Sequence, residues 1–236
     1  MRDKTGIFIQ SRMGSSRFPG KSMAVIDGKS LLQHLLEAIM TQFDKQQIWV
    51  LTSADINNQP IIDLCEEIGV NYFRGDEHNV ASRFKIVLEQ TKFDYFFRIC
   101  GDSPFFSPQL ILKAVDEVSK NNSLEVVTSL PNKGNPQGQN IELISTKTFL
   151  ETYPLFKEKA HFEHVTNFFY TNLDQFQSLL LTCDYPGYEY SDYKFSVDTK
   201  EDLELIKKMY TQLSQHPYLY ELNDLMSLMN TIKNNY

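Results

Sequence analysis

Apolar residues in this chain alternate between short runs and faces with helical spacing. Leu31, Leu32, Leu35, Leu36 and Ile39 mark one side of an amphipathic helix. Pro60 and Gly69 bracket a second helix as its start and stop, and residues 80–90 read as a third. Ser107-Pro108 opens a fourth, with Leu110, Ile111, Ala114, Val115 and Val118 on its inner side. Between these lie apolar runs of strand length at 6–10, 47–52, 70–73 and 95–100. Strands alternating with helices predict an α/β protein, a mostly parallel sheet with helices on both faces. The second half is less regular. Strands are expected at 124–128, 141–145 and 176–181, and a Pro/Asn/Gly/Gln-rich loop at 131–139. A helix starts near Thr146 and another spans 161–171. Thr199, answered by Asp202, caps a helix over 201–213, and beyond Pro217 a last helix carries Leu222, Leu225, Met226, Leu228, Met229 and Ile232. No repeat, low-complexity linker or domain boundary stands out, so 1–236 reads as one domain.

The first strand feeds an unusual loop: Gln10-Ser11-Arg12-Met13-Gly14-Ser15-Ser16-Arg17-Phe18-Pro19-Gly20-Lys21. Small residues let backbone N–H groups approach an anion, and the cations Arg12, Arg17 and Lys21 neutralise it. With a helix expected directly after Pro19-Gly20, the order strand–loop–helix suits a nucleotide phosphate. The alternative is a solvated basic loop. The motif is not Walker A, because five residues separate Gly14 from Gly20-Lys21-Ser22 where that pattern has four, and G-x-G-x-x-G is absent.

Composition narrows the function. A chain of 236 residues with 42% hydrophobic and 13% aromatic content can fill a core. A net charge of −7 argues against nucleic acid as a partner. Cys65, Cys100 and Cys183 are few and widely spaced, which suits reduced thiols rather than a disulfide framework or zinc site. The N-terminus lacks a signal-peptide pattern, and no apolar run reaches membrane-spanning length. A cytoplasmic protein with no membrane partner is expected.

Two carboxylates complete the picture. Asp102, after Gly101, stands just past the strand at 95–100, and Asp198 is expected to end another strand before a helix. Each could be a turn or capping residue, but together they form a paired-carboxylate site for Mg²⁺, which takes one or two carboxylates plus phosphate oxygens. His161 and His164 have His-x-x-His spacing without a third ligand, so His164 is assigned to acceptor binding or a dimer contact.

The opening I-Q-S-R-M-G-S-S-R-F-P-G-K resembles the signature of the SpsF-like cytidylyltransferases, relatives of the CMP-sialic acid and CMP-KDO synthetases. F-R-G-D-E-H-N-V-A-S-R-F (73–84), R-I-C-G-D-S-P (98–104), N-I-E (140–142), E-H-V-T (163–166) and S-V-D-T-K-E-D-L (196–203) follow in family order. The resemblance implies a three-layer α/β/α, Rossmann-like (GT-A-like) nucleotidyltransferase. It implies transfer of CMP from CTP to a sugar or sugar-phosphate acceptor, with pyrophosphate released. It also implies a homodimer, with a small acceptor or dimerisation subregion around 131–175. Carried over by motif, Gln10, Ser11, Arg12, Met13, Gly14, Ser15, Arg17, Lys21, Arg74, Asp76, Asn79, Arg83 and Gly101 bind nucleotide. Gln139, Glu142 and His164 meet the acceptor, Asp102 and Asp198 hold Mg²⁺, and Arg17 and Lys21 act catalytically on the leaving pyrophosphate. The chain departs from the family at Ser11 (Ala there), at Phe18 (Leu there) and in 135–142, where P-D-G-x-D-x-E has exchanged two carboxylates for amides. A nucleotide-sugar-dependent glycosyltransferase and a catalytically silent nucleotide-binding partner remain as alternative readings.

Overall fold

The computed structural model describes residues 1–130, 134–182, 189, 192–213 and 215–234. Cys183 and the first three residues of the 131–139 loop fall outside that set. The main sheet has seven strands: β1 (Thr5–Gln10), β4 (Ile48–Ser53), β5 (Asn71–Gly75), β6 (Tyr95–Cys100), β7 (Val126–Thr128), β8 (Glu142–Ser145) and β9 (Ser178–Leu180). Their spatial order is β5-β4-β1-β6-β8-β7-β9. β5, β4, β1 and β6 are mutually parallel, β8 runs antiparallel to both neighbours, and β9 is parallel to β7. The sheet is therefore mixed and mostly parallel, as the alternating pattern predicts.

Both faces are buried, which explains the near-continuous apolar runs of the central strands. Ile7, Ile9, Val50, Phe97, Ile99, Val127 and Leu143 pack against helices α1 (Leu31–Met40), α2 (Gln59–Ile68) and α4 (Pro108–Lys120). The alternate residues Phe8, Leu51, Phe96, Val126 and Ile144 face α3 (Val80–Gln90), α5 (Thr146–Thr152) and α7 (Asn167–Thr171). This is the three-layer α/β/α arrangement. A third cluster joins α8 (Lys200–Gln212) and α9 (Leu222–Asn234) to Phe105, Phe195 and the start of α1. Among the described residues no helix is long and apolar enough to cross a membrane.

From β1 the chain moves outward to β4 and β5, then crosses back to β6 on the other side of β1. The carboxyl ends of β1 and β6 therefore flank a topological switch point, where open α/β sheets form a crevice.

Four local expectations are corrected. No α-helix follows the first loop at once. A 3-10 turn at Lys21–Met23 leads into a hairpin of β2 (Val25–Ile26) and β3 (Lys29–Ser30), and α1 begins only after the Ser30 cap. The hairpin turns on Asp27-Gly28, both at positive φ, a two-residue turn the sequence does signal. The helix expected over 161–171 is two short ones, α6 (Lys159–Glu163) and α7. Between them Val165 adopts φ +27° to enter the core, while the Thr166 hydroxyl donates to the buried Glu142 carboxylate. Asp198 does not end a strand: among the described residues its segment makes an isolated bridge, Lys194 with Gln137, and belongs to no strand of the sheet.

The fourth correction concerns Gln139, expected to meet an acceptor. Its side chain is fully buried. Nε2 donates to the Phe105 carbonyl at 2.7 Å, and Oε1 accepts from the Ser107 N–H at 3.0 Å. Gln139 thus straps the loop entering β8 to the start of α4. Replacing it with Leu removes both partners, at about 1–3 kcal/mol for each buried group left unpaired. Urea denaturation of Gln139→Leu should show a lower midpoint with unchanged nucleotide affinity. A stable variant with impaired ligand binding would refute this structural role.

Candidate active site

The first loop curls on itself. The Met13 carbonyl accepts N–H bonds from Ser15 and Gly20, at 2.9 and 2.8 Å, and Gly20 sits at φ +75°, where a side chain would be strained. Asn58 fixes the outer side of the curl by accepting the Met13 N–H at 2.8 Å. This geometry delivers Lys21 inward, to a node of charges.

At that node the Lys21 ammonium lies 2.5 Å from Asp102 Oδ2 and 2.8 Å from Asp198 Oδ1. Arg17 also reaches Asp198 Oδ1, at 3.1 Å. The other oxygen of Asp198 is held by Lys194 at 3.1 Å and by the Gln137 amide at 3.2 Å. Lys194 is itself anchored to Asp202 at 2.6 Å. A backbone bond from Val197 N–H to the Asp102 carbonyl, 2.9 Å, ties the two aspartate-bearing segments together. Burial opposes both charges, yet the ion pairing prevails. The Lys21 pKa is raised, chiefly by Asp102, and Asp198 is held down at about 2 by Lys21 and Lys194.

Two cavities meet at this node and share Arg17, Arg98, Cys100 and Asp102 as their common wall. One, of about 300 Å³, is walled by the first loop, Arg83, Glu163 and His164. The other, of about 260 Å³, is walled by Ser103, Gln137, Asn140, Glu142, Ser196 and Asp198. Arg98 stiffens the partition: it donates to Gln10 Oε1 at 3.0 Å and to Glu142 Oε1 at 2.9 Å. Each cavity has one buried hydroxyl without a partner among the described residues, Ser11 in the first and Ser196 in the second.

The structure therefore brings Gln10, Ser11, Arg12, Ser15, Arg17, Lys21, Arg83, Gly101, Asp102 and His164 to the first cavity, and Glu142 and Asp198 to the second. Met13 and Gly14 face a separate depression with Asn58 and Glu77 behind the loop. Arg74, Asp76 and Asn79 line neither cavity: Arg74 is bonded to the segment after β4, and Asp76 and Asn79 hold the turn that leads into α3. Arg74 bonds the Ala54 and Asp55 carbonyls at 3.1 and 3.3 Å. Asp76 accepts from the His78 and Asn79 N–H groups, which lower its pKa, and Asn79 caps α3 through Ser82 N–H at 2.9 Å. Arg83 reaches the cavity wall but is buried, donating to the Asp76 and Glu77 carbonyls at 2.6 and 2.9 Å. Burial and the nearby Arg12 lower its pKa to about 10.

His161 is buried and accepts backbone N–H bonds from Lys157 and Glu158, whereas His164 is exposed beside Arg12 and Glu163. Lys194, Gln137, Asn140 and Ser196 were missing from the sequence assignment. The amide-for-carboxylate exchange in P-D-G-x-D-x-E falls on Gln137 and Asn140, and that was the available signal for two of them. Nothing local marks Lys194.

Among the described residues no three His, Cys, Asp or Glu side chains cluster as a metal site. Asp102 and Asp198 nevertheless converge on one ammonium, so they fit a cation that draws its remaining ligands from a phosphate.

A profile described as Cytidylyltransferase matches residues 7–227. An uncharacterised protein of Methanocaldococcus jannaschii is 32% identical over 88% of this chain and 82% of its own length. The spore coat polysaccharide biosynthesis protein SpsF of Bacillus subtilis is 26% identical over 94% of this chain and 92% of its own. In structure, a cytidylyltransferase from Leptospira borgpetersenii serovar Hardjo-bovis superposes with a TM-score of 0.85 at 24% identity, covering 98% of this chain and 94% of that one. The matched stretch contains the first loop and both aspartates, and the chain belongs to the cytidylyltransferase family of nucleotidyltransferases.

Proposed function

We propose that the protein transfers the cytidylyl group of CTP to a sugar-like acceptor in polysaccharide biosynthesis, with CTP in the loop-walled cavity and the acceptor in the cavity walled by Gln137, Asn140 and Ser196. The observation that carries this reading is the charge node at the border of the two cavities, where Asp102 lies on their shared wall and Lys21, from the loop-walled cavity, pairs with both Asp102 and Asp198, from the other. Two substrates approaching that wall from opposite sides meet with the α-phosphorus between them.

In the transfer, an acceptor oxygen bonds to the α-phosphorus and the bond to the α,β-bridging oxygen breaks. Its electron pair leaves with pyrophosphate, and any proton on the attacking oxygen passes to water. Arg12, Arg17 and Lys21 offset the charge of the leaving group, and catalysis comes from positioning and electrostatics rather than covalent chemistry. The Arg98–Glu142 pair keeps the partition rigid while the reacting atoms align. Asp102 and Asp198 would hold Mg²⁺, which when bound supplies Lewis-acid neutralisation at the α-phosphate. The cations ahead of the aspartates favour a triphosphate substrate over a nucleotide sugar.

Incubation with CTP, Mg²⁺ and a panel of sugar acids, sugar phosphates and neutral sugars should release pyrophosphate with at least one acceptor. Asp102→Asn and Asp198→Asn should each lower turnover by about 100-fold or more, in protein whose far-ultraviolet circular dichroism shows the fold retained. No pyrophosphate with any acceptor, together with no stabilisation by CTP, would sink the proposal.

Asp198 also predicts a pH dependence. Its folded pKa, about 2, lies below the usual 3.8, so its stabilising contribution is full above the unfolded value and is lost as pH falls through about 2. In chemical denaturation the stability gap between wild type and Asp198→Asn should be constant near neutrality and narrow as pH drops from about 4 to about 2. A gap unchanged across that range contradicts the ion-pair assignment.

A further inference from the structure

The oxygens that Asp102 and Asp198 turn toward each other are bridged by one group, the ammonium of Lys21. Around that bridge the remaining partners sit on the outside. Asp102 Oδ1 accepts from the Ser103 hydroxyl at 3.3 Å, and Asp198 Oδ2 is held by Lys194 and Gln137. Arg17 touches Asp198 Oδ1 from the solvent side, its own side chain 66% exposed. Lys21, by contrast, is only 14% exposed and comes from the single 3-10 turn after Gly20, at the end of the phosphate-binding loop. The same side chain also lines the loop-walled cavity. Two sets of anions, the carboxylate pair and the phosphates of a bound nucleotide, thus lie within reach of one flexible ammonium.

A compact ammonium and a hard divalent cation ask for the same thing here, two carboxylate oxygens facing each other at short range. They cannot share the position. We propose that Lys21 is an exchangeable counter-ion of the Asp102–Asp198 pair. It neutralises the two carboxylates until a triphosphate draws the ammonium into the adjoining cavity, and the facing oxygens are then released to a divalent cation. The metal therefore binds weakly while Lys21 holds the pair, and tightly once the nucleotide is bound. Lys194 makes the exchange possible, because it keeps Asp198 Oδ2 paired and oriented through Asp202 while Oδ1 changes partner. The proposal rests on the cytidylyltransferase reading for the identity of the triphosphate, and on the carboxylate pair alone for the competition.

The competition is measurable without nucleotide. Mn²⁺ serves as the probe, its free concentration read from the solution electron paramagnetic resonance signal during titration. Wild type should bind it weakly, and Lys21→Met should bind it about tenfold more tightly or better. Adding Asp198→Asn to Lys21→Met should abolish that gain. If removal of the ammonium destabilises the fold, visible as a large fall in melting temperature, Lys21→Gln tests the same exchange with a neutral polar arm. Equal or weaker Mn²⁺ affinity in the folded Lys21 variants overturns the proposal, as does a gain that survives Asp198→Asn. A failure of CTP turnover, measured separately, would count against the functional reading and leave this result standing.

Discussion

The parallel register of β1 against β6 is the constraint on which the site depends. It pairs Gln10 with Cys100, so the loops leaving these two strands start side by side at one edge of the sheet. The contact continues one residue further, where Gly101 N–H donates to the Gln10 carbonyl at 2.9 Å. A Cβ at Gly101 would lie 2.9 Å from both Cβ and Oγ of Ser11, so the close approach requires glycine. With the loops held together at their roots, Lys21 and Asp102 need little further guidance to meet. The apolar alternation that buries Ile7, Ile9 and Phe8 on opposite faces fixes this register, since a slip of one residue would exchange the two faces.

Charge balance is local at the node, although the chain as a whole carries −7. Lys21, Arg17 and Lys194 surround Asp198, while Asp102 and Asp202 share those cations. Such a network is poor evidence for net stability, because burial costs each charge its hydration. Its value lies in orientation: both oxygens of Asp102 and of Asp198 have a partner, and one of those partners, Lys21, also faces the neighbouring cavity. The exposed guanidinium of Arg17 sits at the same border. Both cations therefore stand at the border of the two cavities, held by carboxylates rather than by the sheet.

Most of the fold was legible in the sequence because strand and helix periods were long and clean. Tyr95–Cys100 and Val80–Gln90 match their expected limits, since buried strands and capped helices carry strong local signals. Asp102 was legible for a related reason: it follows a readable strand. Asp198 was expected at a strand end and is not at one, because an extended segment outside a sheet can have the same apolar pattern as a strand within it. The residues at the end of β5 and just after it lie away from both cavities for a different reason. Arg74, Asp76 and Asn79 have side chains that suit a nucleotide equally well, but backbone groups engage them here, those of their own turn for Asp76 and Asn79 and those after β4 for Arg74. Gln139 illustrates how little separates inside from outside. It points into the core, while Gln137 and Asn140 on either side of it line the cavity. Only tertiary packing against Phe105 and Ser107 decides which of these amides is buried.

The antiparallel direction of β8 supplies the last part of the site. A parallel strand beside β6 would bring its exit loop to the carboxyl edge, with its entry at the far side. β8 runs the other way, so its entry arrives there, and Glu142, its first residue, reaches Arg98 near the end of β6. Residues 134–141 are thereby carried across the same edge that the first loop occupies on the other flank of Arg98. Gly138, at φ +91°, lets this segment lie against Phe195 and Ser196, where a Cβ would come within 2.8 Å of the Ser196 nitrogen. That contact connects the loop entering β8 to the segment carrying Lys194 and Asp198. One reversed strand thus places the second cavity opposite the first, and the shared wall between them follows from the strand order.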